Sequence, residues 1–428
     1  MESNCFIEIL NAELVMAFGC TEPGAVAYAA ALARKHSSGS EIRKIEVSAS
    51  VDIIKNVAAV TIPGTNRCGM DLATALGIII GSSEKKLEIL SAIIPQDVIK
   101  AQELITQTPI TVNVAQTPYN IYIAVTLETN TDQVSVVLAG HHTHLAKLEV
   151  DGNVLTDDFP SDDNNHILKL EKLLTIDNIW NFVQNIEMSN LDIIKRLIKI
   201  NNRLGQEGLT SSYGLEVGRT ILNNIGNGFL PDDLCSYAMA LTSAGTDARM
   251  AGCSLPAFAN SGSGNQGIQS SLPVVAIAQK LNKNEETTIR AVALSCLISI
   301  YVKSSFGRLS ALCGATVAAT GASSGIVYLL GGSLEQIKYT SQNMLGNVTG
   351  ILCDGAKAGC ALKIATCTSA AVQSALLSLN NIAIQSTDGI IEENIEGTIH
   401  NLGKISKIIS NSTNKTILNI ILDKKRVY

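Results

Sequence analysis

The chain has 428 residues, 46% apolar and only 4% aromatic, so it is long enough for two or three lobes and needs no disulfide to hold a core of Ala, Ile, Leu and Val. Its 32 basic and 38 acidic residues give a net charge of -6 with no basic run or Arg/aromatic stripe, which excludes a nucleic-acid footprint and leaves a small molecule as the expected partner. Glu2, Glu8 and Glu13 stand where a secretory leader needs positive charge, so a cytoplasmic location is expected, and ten cysteines in that reducing compartment point to metal or thiolate chemistry rather than staples.

From about Glu8 to Lys35 the sequence reads as a helix interrupted at Gly19-Cys20-Thr21-Glu22-Pro23-Gly24, where Pro23 can open a second helix after a threonine-type cap. Cys20 then lies at a helix N-terminus, where backbone N–H groups and the dipole favour a thiolate and are expected to lower its pKa. From Lys44 the period changes to two: Ile45, Val47, Ala49 and Val51 alternate with polar residues, as in a half-buried strand. Residues 71–107 look helical. The runs TVNVAQ, YNIYIAVTLE and QVSVVLAG read as further strands, and Asp151-Gly152 marks a tight hairpin within KLEVDGNVL.

The polar stretch Asp157 to Asn165 reads as a loop between lobes, and from Thr175 onward helices dominate, with Thr175 and Ser189 as caps. Residues 309–334 carry no charge and are long enough to cross a bilayer. Five glycines, several hydroxyls and no flanking basic cluster favour a buried helix pair over a membrane span. The fold expected is α+β, with a mainly helical domain and a smaller α/β lobe. Residues 1–40 form a helical segment packing on the catalytic domain, 41–165 the α/β lobe, and 166–428 the helical domain.

Three cysteines sit in small, glycine-rich sequence, in RLSALCGA (Cys313), LCDG (Cys353) and KAGCALK (Cys360). Glycine lets backbone approach a bulky ligand. Cys353 and Cys360 would be about 10 Å apart in a continuous helix, but Gly355 and Gly359 favour a loop leading into one, which can fold both thiols onto one group. The spacing matches neither ferredoxins nor zinc knuckles, and buried core cysteines are the ordinary alternative. Cys5, Cys68, Cys235, Cys253, Cys296 and Cys367 are assigned to that class.

A second constellation, Asn260-Ser261-Gly262-Ser263-Gly264-Asn265-Gln266-Gly267, follows AGTDAR ending at Arg249 and suits a small anion such as a carboxylate, with a helix beginning near Ile268; an interhelical turn is the plainer reading. His141, His142 and His144 follow a strand, where alternation separates neighbours. A strand-end turn with one histidine facing substrate is favoured over a metal site. No phosphate anchor for pyridoxal phosphate accompanies Lys357, so it is not assigned as a Schiff-base lysine.

The segments AFGCTEPGAVAYAAALA, ARMAGCSLPAFANSGSGNQGI, GRLSALCGATVAATGASSGI and LGNVTGILCDGAKAGCALKIAT together resemble the L-cysteine desulfidases, relatives of the α-domain of bacterial iron-sulfur serine dehydratases. The resemblance spans Cys20 to about Cys367. It implies a pyridoxal-free β-elimination of L-cysteine to sulfide, ammonia and pyruvate on an oxygen-labile 4Fe-4S cluster in an iron-sulfur catalytic domain. Cys313, Cys353 and Cys360 fall on the family's cluster-ligand positions, and Cys20 falls on its fourth cysteine, in the GCTEP motif, which acts as the acid/base or covers the free iron. Three ligands would leave one iron open as a Lewis acid. The serine dehydratases can end in a cysteine that reaches the cluster, whereas this chain ends KKRVY. The substrate contacts expected are Thr21, the loop Asn260, Ser261, Gly262, Ser263, Gly264 and Asn265, and Arg308.

Two rivals stand beside this reading: an L-serine or other β-substituted amino-acid dehydratase with the same cluster, and a non-catalytic iron-sulfur or zinc-binding protein. The oligomeric state is left open, a homo-oligomer included.

Overall fold

The computed structural model describes residues 2–160, 173–307 and 309–424. The chain opens with α1 (Glu2–Glu13), β1 (Leu14–Ala17) and α2 (Thr21–His36). The interruption expected near Gly19 is therefore longer than a break between helices. Residues 14–17 are a strand, pairing antiparallel with β8 (Ala257–Asn260) from Leu14↔Asn260 to Ala17↔Ala257. Four residues carry too little periodicity to mark a strand, and their partners lie 240 or more residues away.

A six-stranded mixed sheet follows, with β2 (Ile42–Ala49), β3 (Ile110–Val114), β4 (Tyr122–Thr129), β5 (Gln133–Ala139), β6 (Leu145–Val150) and β7 (Asn153–Asp157) in the order β3-β2-β4-β5-β6-β7. Only β2 and β3 run parallel. Their connection carries α3 (Val51–Val57), α4 (Met70–Ile80) and α5 (Pro95–Gln107), so the helical expectation for 71–107 holds apart from a kinked 3-10 segment over 83–92. Asp151 (φ 49°) and Gly152 (φ 80°) make the tight turn between β6 and β7.

The period-two pattern does what it implies: Ile45, Val47, Val125, Leu127, Val134 and Val136 are buried on one face. That face packs on the alanine-rich α2, whose Ala25 to Ala33 belong to the same core. At Gly77 on α4 an added Cβ would stand 2.2 Å from the Ala27 carbonyl oxygen, so the two helices meet backbone to backbone. The expectation that residues 1–40 pack as one segment on the helical domain is thus corrected. Phe6, Ile9 and Leu10 of α1 join the helical core, whereas α2, made of small residues, slots against the sheet.

The helical body comprises α6 (Ile176–Asn185), α7 (Asp192–Thr210), α8 (Val217–Gly226), α9 (Leu234–Met250), α10 (Gly264–Lys280), α11 (Glu285–Phe306), α12 (Gly314–Leu329), α13 (Leu334–Asn347), α14 (Cys360–Leu379) and α15 (Ile395–Asp423). Thr175 caps α6, accepting from the Asn178 N–H. Ser189 lies inside a short 3-10 turn and caps nothing; Leu191 occupies the position before α7. The loop expected at 157–165 lies largely outside the described residues.

The uncharged run 309–334 forms a single helix, α12, rather than the expected pair, packed among α10, α11, α13 and α14. Two other helices, α11 and α14, are long and apolar enough to cross a membrane; 78% and 56% of their apolar windows are buried inside the fold. Close packing here rests on small residues: a Cβ on Gly321 would stand 2.1 Å from the Ser295 carbonyl oxygen. Buried hydroxyls such as those of Thr242, Ser299 and Thr320 bond back along their own helices, to Ala238, Ser295 and Thr316.

The turn after α2 is tied to the β4–β5 hairpin by the buried Asp132 carboxylate, which accepts from Ser37 Oγ (2.7 Å), Ser38 N (2.5 Å), Ser38 Oγ (2.8 Å) and Thr129 Oγ1 (2.5 Å). Burial alone would raise its pKa, but these donors hold it well below the usual carboxylate range. A depressed folded pKa contributes stability that is fully present above the unfolded value of about 3.9 and is lost progressively as pH falls from there through the folded pKa. Asp132→Asn is therefore expected to lower stability at pH 7 and to show a somewhat smaller deficit at pH 3, where the loss has only begun, as read by denaturant unfolding at both pH values.

Candidate active site

Cys20, Cys313, Cys353 and Cys360 all line one cavity of about 100 Å³ between the sheet lobe and the helical body. Local structure delivers each of them. Cys313 is the N-cap of α12, Cys360 is the first residue of α14, and Cys20 is the N-cap of α2. Cys353 lies in the loop before α14, where Gly355 at φ 99° turns the chain, as the sequence implied.

A pairing invisible in the sequence joins the first two loops. Leu312 and Leu352 form an antiparallel bridge, with Cys313 N donating to Ile351 O (2.8 Å) and Cys353 N to Ala311 O (2.7 Å). Side-chain alternation then puts Cys313 and Cys353 on one face of that bridge. Asp354 steadies the rest of the loop, pairing with Lys357 and with Lys363 (2.5 Å), while Lys363 also donates to Leu352 O (2.7 Å). Lys357 does not line the cavity.

Burial and the charges of Cys353 and Cys360 push the Cys313 thiol up to about 12, and burial raises Cys360 as well. Thiols in this state give up their protons to a metal. Among the described residues no three His, Cys, Asp or Glu side chains gather closely enough for a single ion. Three soft donors spread around one cavity, each beside a small residue, fit a polynuclear iron-sulfur group better than a lone zinc.

Cys20 is where the sequence expectation is corrected. It does sit at a helix N-terminus, but it is buried, its Sγ donates to Glu22 Oε2 (2.9 Å), and burial together with the Glu22 charge pushes its pKa up rather than down. Desolvation outweighs the helix end. Glu22 behaves oppositely: burial works to raise it, yet neighbouring His142 and hydrogen bonds from Cys20 and Thr21 Oγ1 (2.9 Å) hold it below the ordinary carboxylate value. The resting pair is a neutral thiol on an ionised carboxylate.

Thr21, Ser261, Gly262, Ser263 and Asn265 reach the cavity, and Thr21 Oγ1 also donates to Gly262 O (3.1 Å), joining α2 to the glycine-rich loop. Ser263 caps α10, which starts at Gly264, four residues earlier than expected. Asn260 is not brought to the cavity. It is fully buried in the helical body, donating to Cys296 O (3.3 Å) and accepting from Ser261 Oγ (2.9 Å). Gly264 does not line the cavity either, and Arg308 lies outside the described residues. Of the histidines, buried His142 lines the cavity, His141 an adjoining one, and His144 Nε2 lies 2.7 Å from Asp158 O. Cys253, Cys296 and Cys367 are core residues.

The sequence reading missed Glu22, Asn56 and Lys303, which line the cavity, and it placed Arg249 and Gln266, which also line it, in the glycine-rich constellation without counting them among the substrate contacts. A lone arginine among small residues in AGTDARMAG and a glutamate beside the candidate cysteine were the available signals. Also missed was Lys55, 1% exposed, bonded to Asp52 Oδ1 (3.1 Å), Asn414 Oδ1 (2.8 Å) and Cys353 O (3.4 Å), so that it ties α3 to α15 and to a cysteine loop. Lys55→Met leaves the Asp52 carboxylate buried without its partner and is expected to cost about 3–5 kcal/mol in denaturant unfolding at pH 7. Adding Asp52→Asn should recover part of that loss.

The family described as serine dehydratase alpha chain matches residues 84–419. Proteins named UPF0597 from Clostridium perfringens and Oleidesulfovibrio alaskensis are each 40% identical over 422 and 420 residues, covering 98% of this chain and 98% of theirs. A Vibrio parahaemolyticus relative of the same designation is 40% identical over 417 residues, 97% of this chain and 98% of its own. The chain belongs to the serine dehydratase alpha chain family, related to the alpha domain of the iron-sulfur serine dehydratases, and is an enzyme of that lyase type.

Proposed function

We propose that the protein catalyses a pyridoxal-independent β-elimination of L-cysteine to sulfide, ammonia and pyruvate, with a 4Fe-4S cluster held by Cys313, Cys353 and Cys360. The observation that carries this reading is the meeting of those three thiols with the Cys20–Glu22 pair in one small cavity. Its background is a family that generally depends on iron-sulfur rather than pyridoxal phosphate. Bound there, the cluster supplies a Lewis-acidic iron toward the leaving group.

The chain's own residues handle the proton. Glu22 is the ionised acceptor and Cys20 the group that meets substrate, so the Cα proton passes to Cys20 as Cys20 yields its own to Glu22. Loss of that proton, and of the Cβ–S bond with its electron pair, leaves an aminoacrylate. This tautomerises and hydrolyses to pyruvate and ammonium. Thr21 and the wall from Ser261 to Asn265 confine the substrate against the pair. All ten cysteines are free thiols, which suits the cytoplasmic location we propose.

The second reading is L-serine dehydration, favoured by the family's name, with hydroxide leaving in place of sulfide. Anaerobically purified enzyme assayed for sulfide from L-cysteine and pyruvate from L-serine separates the two. Faster turnover of L-serine would overturn the desulfidase assignment. Cys353→Ser and Cys360→Ser should each lose the visible absorption of the cluster. Cys20→Ser and Glu22→Gln should keep it while turnover falls by about 10²–10⁴. Full turnover in Cys20→Ser would remove that residue from proton transfer.

A further inference from the structure

Among the buried polar atoms at the cavity that have no hydrogen-bond partner among the described residues are Arg249 Nε, Gln266 Oε1 and Asn56 Oδ1. Their side chains all line it, and they are 3%, 3% and 7% exposed. A buried donor or acceptor left unpaired is costly, and three around one cavity mark what a ligand supplies on binding. From this we infer that Arg249, Gln266 and Asn56 form a clamp for an α-amino acid zwitterion, the guanidinium taking the α-carboxylate and the two side-chain carbonyls taking the α-ammonium. The inference rests on the reading of this cavity as the active site, and it deepens that reading by naming what selects the substrate.

The match is one of chemistry. A carboxylate only accepts and an ammonium only donates, so a zwitterion needs a charged donor and neutral acceptors side by side. A phosphate or a dicarboxylate would leave the two carbonyls unpaired, and a simple amine would leave the guanidinium so. Arg249 suits the first task because its planar fork binds carboxylate with two N–H groups.

Each side chain is also held in place. Arg249 Nη1 donates to Asn265 Oδ1 (2.9 Å), and its guanidinium packs against Gly264, where a Cβ would stand 2.2 Å from Nε. Gln266 lies over Gly314, where a Cβ would stand 2.8 Å from its Cδ, which brings the amide to the start of α12 beside Cys313. Asn56 Nδ2 donates to Glu22 Oε1 (2.9 Å), which fixes the amide with Oδ1 as its remaining acceptor. Gly264 thus serves as the bed of Arg249 rather than as a ligand contact. The Arg249 charge acts on Cys20, so a carboxylate held there keeps Cα within the neighbourhood of the Cys20–Glu22 pair.

The test is calorimetric titration of anaerobically purified holoprotein with L-alanine, which keeps both α-substituents and has no leaving group. Propionate and ethylamine serve as the two half-probes. Arg249→Met should weaken L-alanine at least tenfold and abolish propionate binding while leaving ethylamine unchanged, and Arg249→Lys should recover part of the loss. Gln266→Leu should weaken L-alanine and ethylamine and spare propionate. Wild-type protein that does not bind L-alanine would overturn the clamp. So would Arg249→Met or Gln266→Leu with a wild-type melting temperature and L-alanine affinity within twofold of wild type. Should Arg249→Met fail to fold, the near-isosteric Gln266→Leu decides alone. Binding that follows these expectations without sulfide release from L-cysteine would sink the desulfidase reading and leave the clamp standing; sulfide release with unaltered L-alanine binding in the variants would do the reverse.

Discussion

Four helix N-termini open onto one cavity, and the rest of the site depends on that convergence. α2 presents Cys20 and Thr21, α10 presents Ser263, Asn265 and Gln266, α12 presents Cys313, and α14 presents Cys360. Each N-terminus brings unsatisfied N–H groups and a partial positive charge. Arg249, Lys55 and Lys303 add full positive charges against Glu22 and Asp52. Such a surround holds the Glu22 carboxylate ionised where a buried apolar site would expel it, although it does not offset the desolvation of the cysteine thiols, and it acts through preorganised dipoles that need not move during reaction.

That surround explains why two acidic groups only two residues apart behave oppositely. Glu22 accepts hydrogen bonds from Cys20, Thr21 and Asn56, and stays ionised despite burial. Cys20, which donates into that same carboxylate, is driven toward its neutral form. Hydrogen bonding to the charged form wins in the first case and desolvation in the second. A thiol resting on a carboxylate is a proton store rather than a free nucleophile, which suits a lyase better than a redox centre.

Much of the fold was legible because its signals are local. Period-two alternation placed the sheet, Asp151-Gly152 its hairpin, and Thr175 a cap. The small residues around Cys313, Cys353 and Cys360 marked loops that do line one cavity. What escaped is long-range. The β1–β8 strip and the Leu312–Leu352 bridge join segments whose own patterns announce nothing. The allegiance of α2 to the sheet follows from Gly77 and the alanines meeting in space. Arg249 and Gln266 stood in or beside the glycine-rich constellation but gained no role of their own from sequence, since what marks them is an unsatisfied atom in a folded interior. Asn260, which sequence placed among the ligand contacts, turned inward to bond Cys296 O.

The Lys55–Asp52–Asn414 knot has a bearing on assembly in time. It ties residues 52–55 to residue 414 and touches the carbonyl of Cys353, so the pocket wall is complete only when nearly the whole chain has emerged. A growing polypeptide carries its first candidate cysteine out of the ribosome some 340 residues before its last. Contacts of such wide sequence separation form late. On the proposed iron-sulfur reading, cluster delivery would follow translation, once α15 has docked against α3.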